Sequence, residues 1–216
     1  MMTVLPRLAL SLLLATSCCL LVFGSAPTPS LRYSQSLYLD NGLSLGYFGY
    51  SEMCETGSFV AYAEALFEPY SALHTDETAL NALILYCADL ETDRITGHIT
   101  STAGEKGELQ GMKACPTGFI TGVRARVLED QGAFGDDVAV QNFQFLCDNS
   151  TIITAIDEEE DSKIPLGVWG SWDTCYNGTA VCGLMTRFDE LNLYADDGAI
   201  SDVILHCCYL SNTRTN

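Results

Sequence analysis

The hydrophobic pattern of the chain is that of strands separated by turns. Half-alternating apolar runs occur at "FVAYAEALFE" (59–68) and "FITGVRARVLE" (119–129), and shorter ones at "LNALILYC" (80–87), "VQNFQFLC" (140–147) and "ISDVILHC" (200–207). Runs of this length, bounded by Gly, Pro, Ser and Asp clusters, predict β-strands closed by turns. No segment joins helix caps to a 3.6-residue apolar period, so the fold class expected is all-β.

The runs also recur in register. "DETALNALILYC", "DDVAVQNFQFLC" and "DDGAISDVILHC" begin at 76, 136 and 196, each 60 residues after the last. Anchoring on the earlier cysteine of each unit extends the match. Gly46, Gly107 and Gly167 precede it by eight residues, and Phe48, Leu109 and Trp169 follow those glycines by two. Gly57, Gly118 and Gly178 lie three residues after the cysteine; Glu68, Glu129 and Asp189 lie fourteen after. This is an internal repeat, with units at about 43–87, 104–147 and 164–208. Each unit is expected to form a small antiparallel sheet with one apolar face. Three such faces meeting about one axis give a single domain over 40–210 with pseudo-threefold symmetry. Residues 25–39 lead into it, and "YSQSLYLD" within and beside that segment is expected to add a strand that closes the last sheet; 211–216 form a tail.

The N-terminus changes the compartment. Arg7 precedes the mostly apolar run "LALSLLLATSCCLLVF" (8–23), followed by "GSAPTPS". This is the layout of a secretory signal peptide over 1–24, cleaved within Gly24 to Ala26. The run is interrupted by Ser and Thr and falls short of the about 20 apolar residues a membrane-spanning helix needs. The mature chain is therefore expected to be secreted, with no membrane insertion after cleavage.

Cleavage removes Cys18 and Cys19 and leaves Cys54, Cys87, Cys115, Cys147, Cys175, Cys182, Cys207 and Cys208, an even set that implies a disulfide framework. The internal alignment pairs Cys54 with Cys87, Cys115 with Cys147, Cys175 with Cys207 and Cys182 with Cys208, although adjacent Cys207 and Cys208 could exchange partners. Clustered Cys-x2-Cys zinc ligands are absent, as is an Asp-x-Asp-x-Asp-Gly calcium loop, so no metal and no cofactor is expected. Asn149 and Asn177 open Asn-x-Thr sequons and become glycan acceptors in such a compartment.

Formal net charge is −18, and −19 once Arg7 is removed. Such a chain repels phosphate backbones and anionic lipid, which excludes nucleic acid and membrane surfaces and leaves neutral ligands, cations or basic proteins. The run "DEEED" (157–161) reads as a solvated connection.

The acidic doublets that open each late strand are the sharpest candidates for chemistry. Glycosidic bond cleavage needs two carboxyl groups about 5 to 9.5 Å apart, one with a raised pKa. Adjacent strand residues point to opposite faces, so Asp76 and Glu77 make a poor pair. A working pair would combine different units, drawing on Glu77, Asp137 and Asp197 or on Glu68, Glu129 and Asp189. Threefold repetition favours the plainer role, an Asp capping a turn before its strand.

The repeat together with "SEMC" (51–54), "DETALN" (76–81), "WGSW" (169–172) and the terminal "CC" (207–208) resembles the vitelline membrane outer layer protein 1 family over about residues 40–209. The resemblance implies a β-prism I of three Greek-key antiparallel sheets, four disulfides, secretion, and a place in an egg's outer coat or in mucosal secretions. It also implies a link to chito-oligosaccharides, with a transferase-like activity described for the egg-coat member, for which no catalytic residue is assigned in this chain. Members carry Trp-Gly-x-Trp in each repeat, whereas units one and two here have Leu45-Gly46-Tyr47-Phe48 and Lys106-Gly107-Glu108-Leu109. If the rings stack on sugars, Trp169 and Trp172 form the platform; their replacement elsewhere by Phe and Leu favours a core-filling role. The Asn of "TALN" becomes Gln141 and Ser201. Three functional classes follow: a structural protein of an extracellular coat or mucus layer, a carbohydrate-binding module, and a glycosyl-transferring enzyme.

Overall fold

The computed structural model describes residues 33–68, 79–128, 139–157, 167–189 and 199–210. Fifteen strands fill them: β1 (Tyr33–Tyr38), β2 (Tyr47–Phe48), β3 (Glu52–Met53), β4 (Ser58–Glu68), β5 (Ala79–Asp89), β6 (Ile95–Ile99), β7 (Glu108–Leu109), β8 (Lys113–Ala114), β9 (Ile120–Val127), β10 (Val140–Cys147), β11 (Ile152–Thr154), β12 (Val168–Trp169), β13 (Asp173–Thr174), β14 (Thr179–Phe188) and β15 (Ile200–Tyr209). They form three antiparallel sheets of equivalent layout. Sheet I runs β1-β15-β14-β2, sheet II β6-β5-β4-β7 and sheet III β11-β10-β9-β12, with β3, β8 and β13 completing the β2, β7 and β12 edges. In sheets II and III the fourth strand returns beside the first, which is a Greek key. The architecture is a β-prism I with pseudo-threefold symmetry.

A repeat unit is not a sheet. The split strand that precedes each early cysteine crosses to the neighbouring side: β2–β3 of unit one pair with β14, β7–β8 of unit two with β4, and β12–β13 of unit three with β9. The long hairpins turn alternate residues inward, and Phe67, Leu83, Leu85, Phe143, Phe145, Leu184 and Leu205 are fully buried in one core shared by all three sheets. At about 25 cal/mol per Å2, burial of such side chains stabilises by about 1.5–3 kcal/mol each.

The glycine eight residues before each early cysteine marks the crossing. A Cβ on Gly46, Gly107 or Gly167 would overlap the main chain of Phe188, Phe67 or Val127, the end of the neighbouring sheet's long strand. Bulges recur as well. Asn81, Gln141 and Ser201 are each skipped in the pairing of the late strand, and all three are buried. They hold the incoming chain of the next crossing: Gly104 N–H donates to the Asn81 carbonyl (2.8 Å), Gly167 N–H to Gln141 Oε1 (2.7 Å), and Ser201 Oγ to the Leu45 carbonyl (2.6 Å). Asn81 does this through its main-chain carbonyl, and Gln141 and Ser201 through their side chains, so the task does not require one residue type.

The disulfides are Cys54–Cys87, Cys115–Cys147, Cys175–Cys207 and Cys182–Cys208. The first three join different sheets. Cys54 ends the crossing strand on sheet I, where its N–H donates to the Cys182 carbonyl (2.8 Å), while Cys87 lies in β5 of sheet II. Cys115 and Cys175 repeat this from sheets II and III. Each prism edge therefore carries one covalent staple. The fourth bridge lies within sheet I, where Cys182 is the bulge residue of β14. It packs with Phe59 and Phe119, whose ring centroids are 5.4 Å apart, in a small second core. Unit three has Ala180 where unit one has Phe59, and the disulfide fills that share.

β1 belongs to the prism. It pairs with β15 from Tyr33↔Cys208 to Tyr38↔Ile204 and buries Leu37 completely. Sheet I is thus assembled from both ends of the described chain.

Candidate functional site

The edge of sheet III is held from two sides. On its own sheet, Gly170 N–H donates to the Ala125 carbonyl (2.9 Å) and Cys175 N–H to the Thr121 carbonyl (2.7 Å). From sheet I, Ser171 N–H donates to the Asp40 carboxylate (3.0 and 3.1 Å), Asn41 Nδ2 to the Val168 carbonyl (3.0 Å), Tyr38 N–H to Asp173 Oδ2 (2.9 Å) and Gln35 Nε2 to the Thr174 carbonyl (3.0 Å). The bonds from Ser171 hold the Asp40 carboxyl below its usual range. A side chain on Gly170 would overlap Asp40 and Asn41, so the glycine of "WGSW" lets the turn seat against sheet I.

That turn places Trp169 and Trp172 on the outer face. Neither is in the core; both are half-buried, which corrects the expectation that these rings fill the interior. Alternation along β9 turns Val123, Ala125 and Val127 inward and Arg124 and Arg126 outward. The Arg124 guanidinium carbon lies 5.2 Å from the Trp169 ring centroid and 4.9 Å from that of Trp172, and the Arg126 carbon lies 5.6 Å from Trp169. Arg124 Nε and Nη2 also donate to Gln144 Oε1 (2.9 and 2.7 Å). Cations over aromatic faces attract by about 0.5–1 kcal/mol when exposed and more when desolvated. The result is a fixed face of two indoles, the Arg124 guanidinium and the Gln144 amide, with Arg126 buried beside Trp169. The sequence carried a signal for the cations that composition hides: "GVRAR" on a strand puts Arg124 and Arg126 on one side.

The other two faces differ. On sheet I the equivalent positions hold Phe48, Ser51, Met185 and Arg187, with the Arg187 carbon 4.4 Å from the Phe48 ring centroid. There burial lowers the His206 pKa, while Ser36 Oγ lies 2.9 Å from its Nδ1. On sheet II they hold Leu109, Met112, Glu64 and Leu66, and Tyr86 donates its hydroxyl to Glu64 Oε2 at 2.6 Å. That bond, with burial and the carboxylate charge, raises the Tyr86 pKa to about 12. A folded pKa raised above the ordinary 10 means that its contribution to stability is complete below pH 10 and is lost as pH rises through about 12. Tyr86→Phe is expected to cost about 1–2 kcal/mol at neutral pH, since Glu64 is buried and loses its donor, and to flatten the alkaline limb of stability. Urea titrations at neutral and alkaline pH check both effects; an unchanged midpoint would show that water replaces the hydroxyl.

Of the carboxylates proposed for glycosidic chemistry, only Glu68 and Asp189 fall among the described residues, each at the end of a long strand. Glu68 ends β4 opposite Ala79, and Asp189 follows β14 with its N–H donating to the Ala199 carbonyl (3.2 Å). The third such position is occupied by Leu128, whose N–H donates to the Ala139 carbonyl (2.9 Å), because β9 is one residue shorter than its counterparts between cysteine and strand end. Counting fourteen from the cysteine therefore gives Glu129 a place in the sequence pattern that it does not hold in the strand pairing. Glu77, Glu129, Asp137 and Asp197 lie outside the described residues. Among the described residues no group of three His, Cys, Asp or Glu side chains is placed to hold a metal ion. Asn149 and Asn177 both sit on exposed turns.

Residues 36–210 match the model of the vitelline membrane outer layer protein I family. The chain belongs to that family. This vitelline membrane outer layer protein I family member is 30% identical over 179 residues to the mouse vitelline membrane outer layer protein 1 homolog, covering 82% of this chain and 85% of the relative. The human homolog is 29% identical over 178 residues, covering 82% and 84%. Among solved structures, a prostate-specific glycoprotein lectin, WGA16, matches the family member's fold with a TM-score of 0.50 at 10% identity, over 79% of this chain and 96% of that one. At that identity the likeness concerns the fold alone.

Proposed function

We propose that the chain is a secreted, non-enzymatic protein of an extracellular coat, of the egg outer-layer or mucosal type, that binds saccharide chains through the outer face of sheet III. The observation that carries this reading is the Trp169–Arg124–Trp172 stack, fixed in place by hydrogen bonds from two sheets. A pyranose presents a face of C–H bonds to the electron-rich face of an indole, while guanidinium and amide groups alongside meet its hydroxyls. Preorganisation keeps the ordering cost of binding low. The face-forming side chains Arg124, Gln144, Trp169 and Trp172 include no carboxyl, so the face supports binding and not acid/base turnover. Family membership and the four disulfides agree with a durable extracellular protein, and a net charge of −18 suits basic coat proteins as neighbours.

Calorimetry of the mature chain against a chito-oligosaccharide series tests this. Trp169→Ala and Trp172→Ala are each expected to weaken binding by about tenfold or more with the far-ultraviolet spectrum unchanged. No heat with the intact chain, or equal affinity in both variants, would refute the face. New oligosaccharides on prolonged incubation would instead favour the transferring enzyme.

A further inference from the structure

The chain has two tryptophans in all, and they stand three residues apart in "WGSW". A tryptophan followed by another at the third position is the pattern read by lumenal enzymes that attach mannose to an indole carbon. Units one and two offer no acceptor there, with Phe48 and Ser51, and Leu109 and Met112, at the same places.

We infer that Trp169 is a C-mannosylation site. The position of the ring in the fold is compatible with the modification. Trp169 lies on β12, the edge strand of sheet III, outside the core and half-buried. Arg124 and Arg126 stack over its ring, so a substituent at the ring edge is compatible with both stacks. Indole C2 lies on that edge, beside the ring N–H.

The chemistry balances without a redox step. The anomeric carbon of a mannose carried on a polyprenyl phosphate bonds to indole C2. The bond from that carbon to the phosphate oxygen breaks, polyprenyl phosphate leaves with the electron pair, and C2 loses its proton to restore the aromatic ring. The donor and enzyme are lumenal, so the inference rests on the secreted reading above.

The full chain, made in secretory animal cells and compared with the same chain from a bacterial cytoplasm, is digested and sequenced by tandem mass spectrometry. The expected result is one hexose on Trp169 in the secreted material only, resistant to enzymes that release N-linked glycans and lost in Trp172→Ala. An unmodified Trp169 on chains that have shed residues 1–24, or that carry glycan at Asn149 or Asn177, overturns the inference and leaves secretion standing. A hexose retained in Trp172→Ala still places the modification on Trp169 and overturns only the directing role of the paired indole. Chains that keep residues 1–24 and carry no glycan overturn both readings.

Discussion

Replacing Cys54 and Cys87 together by alanine lowers the unfolding free energy by about 4 kcal/mol. The bridge closes a loop of 33 residues, and loop-closure entropy for that length corresponds to about 4 kcal/mol. Both residues are buried at the edge where sheets I and II meet, and among the described residues no β-ladder crosses from one sheet to the other there. The staple therefore carries what hydrogen-bonded pairing carries inside a sheet. The seam has other ties, such as Thr100 N–H donating to Glu52 Oε2 (2.8 Å) and, at the next edge, the Lys113–Asp157 ion pair (2.8 Å). The ion pair is solvent-exposed on the Asp157 side and adds little. Urea unfolding of the double variant measures the loss, and a value below about 1.5 kcal/mol would show that packing at the seam suffices without the bridge.

Gly107→Ala is expected to cost a comparable amount, about 4 kcal/mol. Two effects add. The residue has φ +98°, outside the small left-handed region open to L-residues, and a Cβ would overlap the Phe67 carbonyl and lie 2.7 Å from Glu68 N. Relief requires the crossing strand to lift off β4, which breaks the Leu66↔Leu109 and Phe67↔Glu108 pairing. Gly111→Ala separates the two effects. Its φ is +78° but nothing lies within 4 Å of a Cβ there, so only conformational strain of about 1 kcal/mol applies. Equal losses at the two positions would mean that the close approach at Gly107 is harmless.

Much of this frame is legible in the residues, and the reasons it is legible are physical. Glycine at a main-chain crossing and cysteine at a staple cannot be exchanged for other residue types, so both recur at fixed spacing in all three units. The expected strands 59–68, 80–87, 140–147 and 200–207 coincide with long strands whose pattern is set by burial. What stays hidden is the partner of each crossing strand. Pieces two residues long, such as Val168–Trp169, are too short to alternate, so nothing local says which sheet they join or which face their side chains take. For that reason the tryptophans fit a core role on paper: Phe and Leu replace them elsewhere, and an aliphatic or aromatic surface can lie beneath a guanidinium as readily as inside a core. Asn81, Gln141 and Ser201 mislead in the same way. They differ as side chains, yet each supplies a polar group to the next segment from a buried bulge, and only the pairing register shows the shared task.

The construction of sheet I from both ends of the described chain sets an order on folding during synthesis. Sheets II and III have all their strands once Ala114 and then Thr174 have been made. Sheet I cannot close until β15 exists, and Ser36 and His206, which meet across β1 and β15, are 170 residues apart. β1 is therefore the first strand to emerge and among the last to find its partner. Over the same interval Cys175 and Cys182 are present without Cys207 and Cys208, seven residues from one another and open to joining wrongly. The ribosome completes the cure for both exposures in one short stretch, residues 200–209, and until then the molecule depends on whatever shields an unpaired strand and two free thiols.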